Sequence, residues 1–176
     1  MVNNNQPLVH LVTDEEVKGK AKELFEQIKK STGKVPKWMR VMANCEDILI
    51  GFFTLFKSVM DDAPLGKELK WKVAHKVSEM NKCEFCVSIT TMMLKEFGLT
   101  TQNLNDLDKS CNGKECIALK YAESATEHAY NINHEVFIEM KKHFTDEQIV
   151  ELTSVIELFN FINRFNDSLG VLPDVN

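Results

Sequence analysis

The sequence predicts an all-α protein, and three observations carry that prediction. Apolar residues recur at helical spacing along nearly the whole chain, no segment alternates apolar and polar residues for long enough to make a strand, and helix-capping pairs precede major apolar runs. With 176 residues, 44% of them hydrophobic and only four prolines, the chain suffices for one domain with a buried core. Residues 1–12 read as a flexible polar lead-in and residues 13–172 as a single helical domain.

Each element follows from local chemistry. Thr13 and Glu16 make a capping box, and Val17, Ala21, Leu24, Phe25 and Ile28 form the stripe of a first helix reaching about Lys30. The stretch Ser31 to Pro36 ends it, Pro36 suits the first turn of a short helix through Ala43, and Asp47 caps an apolar helix carrying Ile50, Phe53, Leu55, Phe56 and Met60. After Asp61-Asp62-Ala63-Pro64 comes a helix from about Leu65 to Asn81, then another from Cys83 to Gly98, the latter placed as a residue just past the helix end. Thr100 to Leu107, Gly113 to Thr126 and His134 to His143 read as helices, and Thr145 with Gln148 caps a last long one ending near Gly170.

The net charge of −5, with basic residues scattered and not clustered, argues against nucleic acid or an anionic membrane as partner. No apolar run approaches the roughly 20 residues needed to span a bilayer, and the N-terminus lacks a basic segment followed by an apolar one. A cytoplasmic protein acting on a small molecule or another protein is expected. Five cysteines make no even-numbered disulfide framework, which favours a reducing compartment with a local redox pair.

That pair is Cys83-Glu84-Phe85-Cys86, two thiols three residues apart at a helix start. The thiolate is the reactive form, and unpaired amides with the positive end of the helix dipole favour it there. In such a geometry the first cysteine is expected to be the more exposed. Spacing alone leaves three readings open: a redox pair, half of a zinc site completed by Cys111 and Cys116, or inert buried cysteines. Cys111 and Cys116 by themselves read as incidental thiols beside a turn.

Val77-Ser78, Asn81, Cys83-x-Phe85-Cys86, Leu94 and Gly98 together resemble the core motif of the carboxymuconolactone decarboxylase family, in its alkylhydroperoxidase D branch. Gly33-Lys34-Val35-Pro36, Glu151-Leu152-Thr153 and Asn163 to Asp167 extend the resemblance over residues 15–172. It implies an all-helical bundle assembling into trimers or hexamers, and thiol-dependent reduction of hydroperoxides with recycling by an external protein or lipoyl dithiol. It further implies that Cys86 attacks peroxide and Cys83 closes the disulfide, whereas the helix dipole alone favours Cys83 as the more acidic thiol. No resident cofactor or metal is expected, the redox group being the Cys83–Cys86 disulfide itself. Thiol–disulfide exchange without peroxidase activity, or a non-catalytic interaction protein of the same fold, are the alternatives.

Two positions depart from the pattern. The family relay places a glutamate twelve residues before the first cysteine and a histidine four after the second, and this chain has Trp71 and Thr90 there. On the preceding helix, Glu68, Trp71, His75 and Ser78 share a face. His75 is the expected base, with Glu68 orienting it. Trp71 is expected to pack in an interface, and Glu84 to be solvated.

Glu151 stands twelve residues before Asn163, with Phe165 and Asn166 following, which repeats the spacing of the CxxC motif with asparagine for cysteine. An internal pseudo-repeat is inferred, in which residues 65–98 and 145–170 are related helix pairs and the second half has a structural role beside the first. His10, His128, His134 and His143 read as surface residues without metal-ligand spacing.

Overall fold

The computed structural model describes residues 6–173 and contains ten α-helices and one 3-10 turn, with no strand among the described residues. The predicted N-terminal lead-in lies in part outside these residues. By their contacts the described residues divide into two compact units, one formed by residues 6–58 with 166–173 and the other by residues 59–165.

The first unit contains α1 (Gly19–Thr32), α2 (Lys37–Met42) and nearly all of α3 (Glu46–Met60). Ala21, Leu24 and Phe25 of α1 are buried, as are Met39, Val41 and Met42 of α2. The capping box at Thr13 forms, with Thr13 N–H on Glu16 Oε2 at 2.9 Å and Glu16 N–H on Thr13 Oγ1 at 3.3 Å. It closes only a turn, however, and α1 begins later than its sequence suggests. Lys18 is extended and Gly19 has φ 56°, so the chain reverses before the helix starts. Glu46 replaces the missing local cap: its Oε2 accepts the Ala21 N–H at 3.3 Å, and any side chain at position 19 would collide with that carboxylate.

The second unit carries α4 (Lys67–Met80), α5 (Glu84–Glu96), α6 (Thr101–Asn105), α7 (Leu107–Ser110), α8 (Gly113–His128), α9 (His134–His143) and most of α10 (Asp146–Ser168). Helix α4 packs on α5 and α8, and α8 packs on α9. Val73, Ala74 and Val77 of α4, Leu94 of α5, Ala118 and Leu119 of α8, and Leu152, Val155 and Ile156 of α10 form its core. The stretch expected to be one helix from Thr100 breaks at Asp106, whose carboxylate binds the Lys109 ammonium at 3.0 Å and the Gln102 amide. The predicted Thr145–Gln148 cap is present, with Gln148 N–H on Thr145 Oγ1 at 3.2 Å. Among the described residues no helix is long and apolar enough to cross a membrane.

One buried ion pair braces this unit. The Lys70 ammonium, fully buried, donates to the carbonyls of Val59 at 2.8 Å and Asp61 at 2.7 Å and pairs with Glu151 on α10. Glu151 also accepts the Leu65 N–H at 3.3 Å. Its carboxylate thus ties the α3–α4 connection and α4 to the long helix. The two stretches compared in the sequence take different forms: residues 65–98 make two helices around a turn, whereas 146–168 run on as the single helix α10.

Candidate active site

The turn that presents the cysteines is built by the end of α4. Lys82 adopts φ 58°, its N–H donates to Glu79 O at 3.0 Å, and the Cys83 N–H reaches back to Ser78 O at 3.1 Å. These two bonds are a Schellman closure with Lys82 in the left-handed position usually given to glycine. Cys83 leaves that closure in extended conformation and serves as the N-cap of α5, so Cys86 falls in the first turn. Both cysteines carry thiols and both are buried, Cys83 at 0% exposure and Cys86 at 4%. Cys83 is therefore not the more exposed sulfur, as the helix start alone suggested, because its backbone is drawn inward by the bond to Ser78.

A second chain of contacts runs under the cysteine turn. Thr90, one helical turn after Cys86, donates its hydroxyl to the Cys86 carbonyl at 2.9 Å, with Val87 O at 3.2 Å sharing that donor. Its oxygen is 2.8 Å from His75 Nδ1. With the hydroxyl hydrogen spent on a carbonyl, Thr90 accepts here, so the hydrogen-bond network assigns the ring proton to Nδ1 and the lone pair to Nε2. Nε2 is buried with no hydrogen bond and faces Glu79 Oε1 at 3.5 Å. Burial pushes the His75 pKa below its ordinary value, and the nearby Glu79 carboxylate opposes that shift without reversing it. The ring is thus a neutral base held by α5.

No protein-family model matches the chain. The uncharacterized protein YnjA of Escherichia coli (strain K12) is 30% identical over 114 residues, 62% of this chain and 63% of YnjA, so the match spans less than two thirds of that relative. The crystal structure of an alkylhydroperoxidase AhpD core, an uncharacterized peroxidase-related protein from Ralstonia eutropha JMP134, matches with TM-score 0.86 at 18% identity, over 96% of this chain and 92% of that one. This chain has the AhpD-like helical fold. A second structure with this fold is a cysteine-to-alanine variant of the debrominase Bmp8 in complex with 2,3,4-tribromopyrrole, with TM-score 0.75, 21% identity and coverage of 93% and 91%.

Within the AhpD-like fold of this chain the predicted site residues divide. His75 and the Cys86 backbone are linked through Thr90, and Cys83 stands at the N-cap of the same helix α5. Glu68 lies elsewhere: it is exposed and bonded to Lys72 at 2.8 Å, the partner one turn along α4. Lys72 is held in turn by Glu115 of α8 at 3.0 Å. The carboxylate at His75 is that of Glu79, one turn further along α4, which the sequence reading overlooked although i, i+4 spacing points to it. Trp71 is buried with its ring edge-on to Phe159 of α10 at 6.0 Å between centroids. Glu84 is exposed.

Asn163, which occupies the position of the first cysteine in the sequence comparison, sits directly behind this turn. Its side-chain amide donates to Ser78 Oγ at 3.1 Å and its oxygen accepts from Asn81 Nδ2 at 3.0 Å, while Asn81 also reaches Asn160 Oδ1 at 2.8 Å. Ser78 passes its own proton to Ala74 O at 2.8 Å. This polar lattice fixes the residues on which the Schellman closure depends.

The remaining surprise is covalent. Cys111 and Cys116, read from the sequence as incidental thiols or zinc ligands, are joined to each other in a disulfide. A four-sulfur zinc site is therefore not what they form, and among the described residues no cluster of three or more His, Cys, Asp or Glu is placed to hold a metal. The Gly113 turn at the start of α8, with φ 43°, brings the two Cα atoms to 5.2 Å.

Proposed function

We propose that this protein is a CxxC thiol oxidoreductase that reduces hydroperoxides, cycling Cys83 and Cys86 between dithiol and disulfide. The observation that carries the reading is the His75–Thr90–Cys86 chain: a neutral imidazole, its tautomer set, is anchored one hydroxyl away from the backbone of the second cysteine. The position that holds a histidine in the family relay holds Thr90 here, and its hydroxyl brings in a ring from α4 instead.

In the cycle, His75 takes the Cys86 proton, and the thiolate attacks the terminal oxygen of a hydroperoxide. The S–O bond forms, the O–O bond breaks, and the leaving alkoxide takes a proton to become an alcohol. Cys83 then attacks the sulfur of the sulfenic acid, the disulfide forms and water leaves. An external dithiol, of protein or lipoyl type, restores both thiols. Cys86 is assigned the peroxide step because the family resemblance places it there and because it is the less completely buried of the two. A cytoplasmic homo-oligomer needing no cofactor beyond its own disulfide fits this cycle.

Stopped-flow oxidation of the reduced protein by hydrogen peroxide and by an organic hydroperoxide tests the proposal. Rates above that of a free thiol, abolished by Cys86→Ser, are expected; rates equal to a free thiol overturn the peroxidase reading. One observation favours a second reading, thiol–disulfide exchange without peroxide. Where the relay carboxylate would stand, the Trp71 indole packs on Phe159. Retained exchange with dithiols alongside peroxide rates no better than a free thiol would select it.

A further inference from the structure

We infer that Cys111–Cys116 is a second thiol–disulfide exchange site, taking external dithiols independently of the CxxC. This inference does not depend on the proposed peroxidase activity. The pair closes a ring of few residues, and such a ring removes little conformational entropy from the unfolded chain, so bracing the fold is a poor account of it. Both residues are partly exposed, unlike the buried CxxC, and an attacking thiolate has access to them.

The local geometry supplies what exchange requires. Cys116 is in the first turns of the sixteen-residue helix α8, and Cys111 immediately precedes its N-cap, Asn112. Side chains in a helix lean toward its N-terminus, so the bridge lies at the end where unpaired amides and the positive dipole stabilise a departing thiolate on Cys116. Attack therefore falls on Cys111. Its sulfur is 3.2 Å from the Asp108 carbonyl oxygen, an acceptor in place for the thiol proton once the bond is broken. The two neighbouring acids do not repel an incoming thiolate freely, because Asp108 is drawn onto Lys76 at 2.7 Å and Glu115 onto Lys72 at 3.0 Å.

The reaction balances with an external dithiol as reductant. One of its thiolates forms a mixed disulfide with Cys111 and expels Cys116 as thiolate; its second thiol then attacks the mixed disulfide and releases Cys111. Two electrons and two protons pass to the protein, and the reductant leaves as its own disulfide.

Trypsin reads this site separately from the CxxC. Cleavage after Lys109, Lys114 and Lys120 puts Cys111 in the peptide Ser110–Lys114 and Cys116 in Glu115–Lys120, while both CxxC cysteines stay in Cys83–Lys95. The folded, full-length protein is treated with dithiothreitol, alkylated and digested. The two peptides are expected to be linked before treatment, separate and alkylated after it, and linked again after reoxidation with oxidised dithiothreitol, at rates unchanged in the Cys83→Ser/Cys86→Ser variant. Linked peptides that persist until denaturant is added would make the bridge a structural brace and overturn the inference. Peptides that stay separate under oxidation, or exchange lost with Cys83 and Cys86, would overturn it equally.

Discussion

His75 Nδ1 and Thr90 Oγ1 lie 2.8 Å apart in the interior, and the threonine hydroxyl passes the connection on to the Cys86 carbonyl at 2.9 Å. Thr90 is thus a two-sided link, accepting from α4 and donating within α5. Its removal separates base from cysteine without touching either.

Thr90→Val keeps the shape and deletes the link. The His75 Nδ1–H then has no acceptor in a buried site, a loss of about 1–3 kcal/mol in stability. CxxC oxidation at neutral pH is expected to slow in Thr90→Val and to be retained in Thr90→Ser, while His75→Gln slows it about 10²-fold. Urea titration together with stopped-flow oxidation checks both effects. Equal oxidation rates in Thr90→Val and Thr90→Ser would detach the hydroxyl from the chemistry.

The same histidine sets a pH dependence of stability. Burial holds its folded-state pKa below the ordinary 6.5, with Glu79 only partly opposing, so the unfolded chain binds the proton more readily. The stability associated with the neutral ring is complete above pH 6.5 and declines as pH falls through 6.5 toward the lower folded-state value. In urea melts from pH 8 downward, the difference in stability between wild type and His75→Gln is expected to shrink on acidification. A difference independent of pH would show that the ring's protonation is not linked to folding.

Much of this was legible in the sequence, for reasons that can be named. The Thr145–Gln148 cap, the glycine past α5 and the CxxC at a helix start are written in local residues, and local hydrogen bonds realise them. His75 was found by helix arithmetic, but arithmetic could not choose between its carboxylate neighbours, since Glu68 is claimed by Lys72 and Glu79 is not. The start of α1 was misplaced because its cap, Glu46, comes from another helix. Cys111–Cys116 escaped because spacing fits a turn, a metal site or a bridge equally well. Lys82 escaped because nothing in a lysine announces a left-handed residue.

Lys70 and Glu151 form the costliest pair to break. The Lys70 amine is wholly buried and the carboxylate nearly so, and Glu151→Leu leaves that amine with only two carbonyl acceptors. A loss of about 3–5 kcal/mol is expected for Glu151→Leu alone. The double variant Lys70→Met/Glu151→Leu removes both charges and is expected to recover most of it. Chemical denaturation of the two singles and the double closes the cycle; additive losses would mean that the charges do not depend on each other.

Lys82 offers the opposite test, a substitution that stabilises. Its φ of 58° brings the side chain's Cβ against the following carbonyl, a strain of about 1–2 kcal/mol that glycine does not have. Glycine gives back roughly 0.5–1 kcal/mol through the greater freedom of its unfolded chain, leaving a net gain of up to about 1.5 kcal/mol for Lys82→Gly. The exposed lysine head makes no ion pair that offsets this among the described residues. The urea midpoint is therefore expected to rise with unchanged slope. Lys82→Val, which adds a branched Cβ to the same conformation, is expected to lower it. If both variants moved the midpoint in the same direction, the left-handed turn before Cys83 would not be the source of the strain.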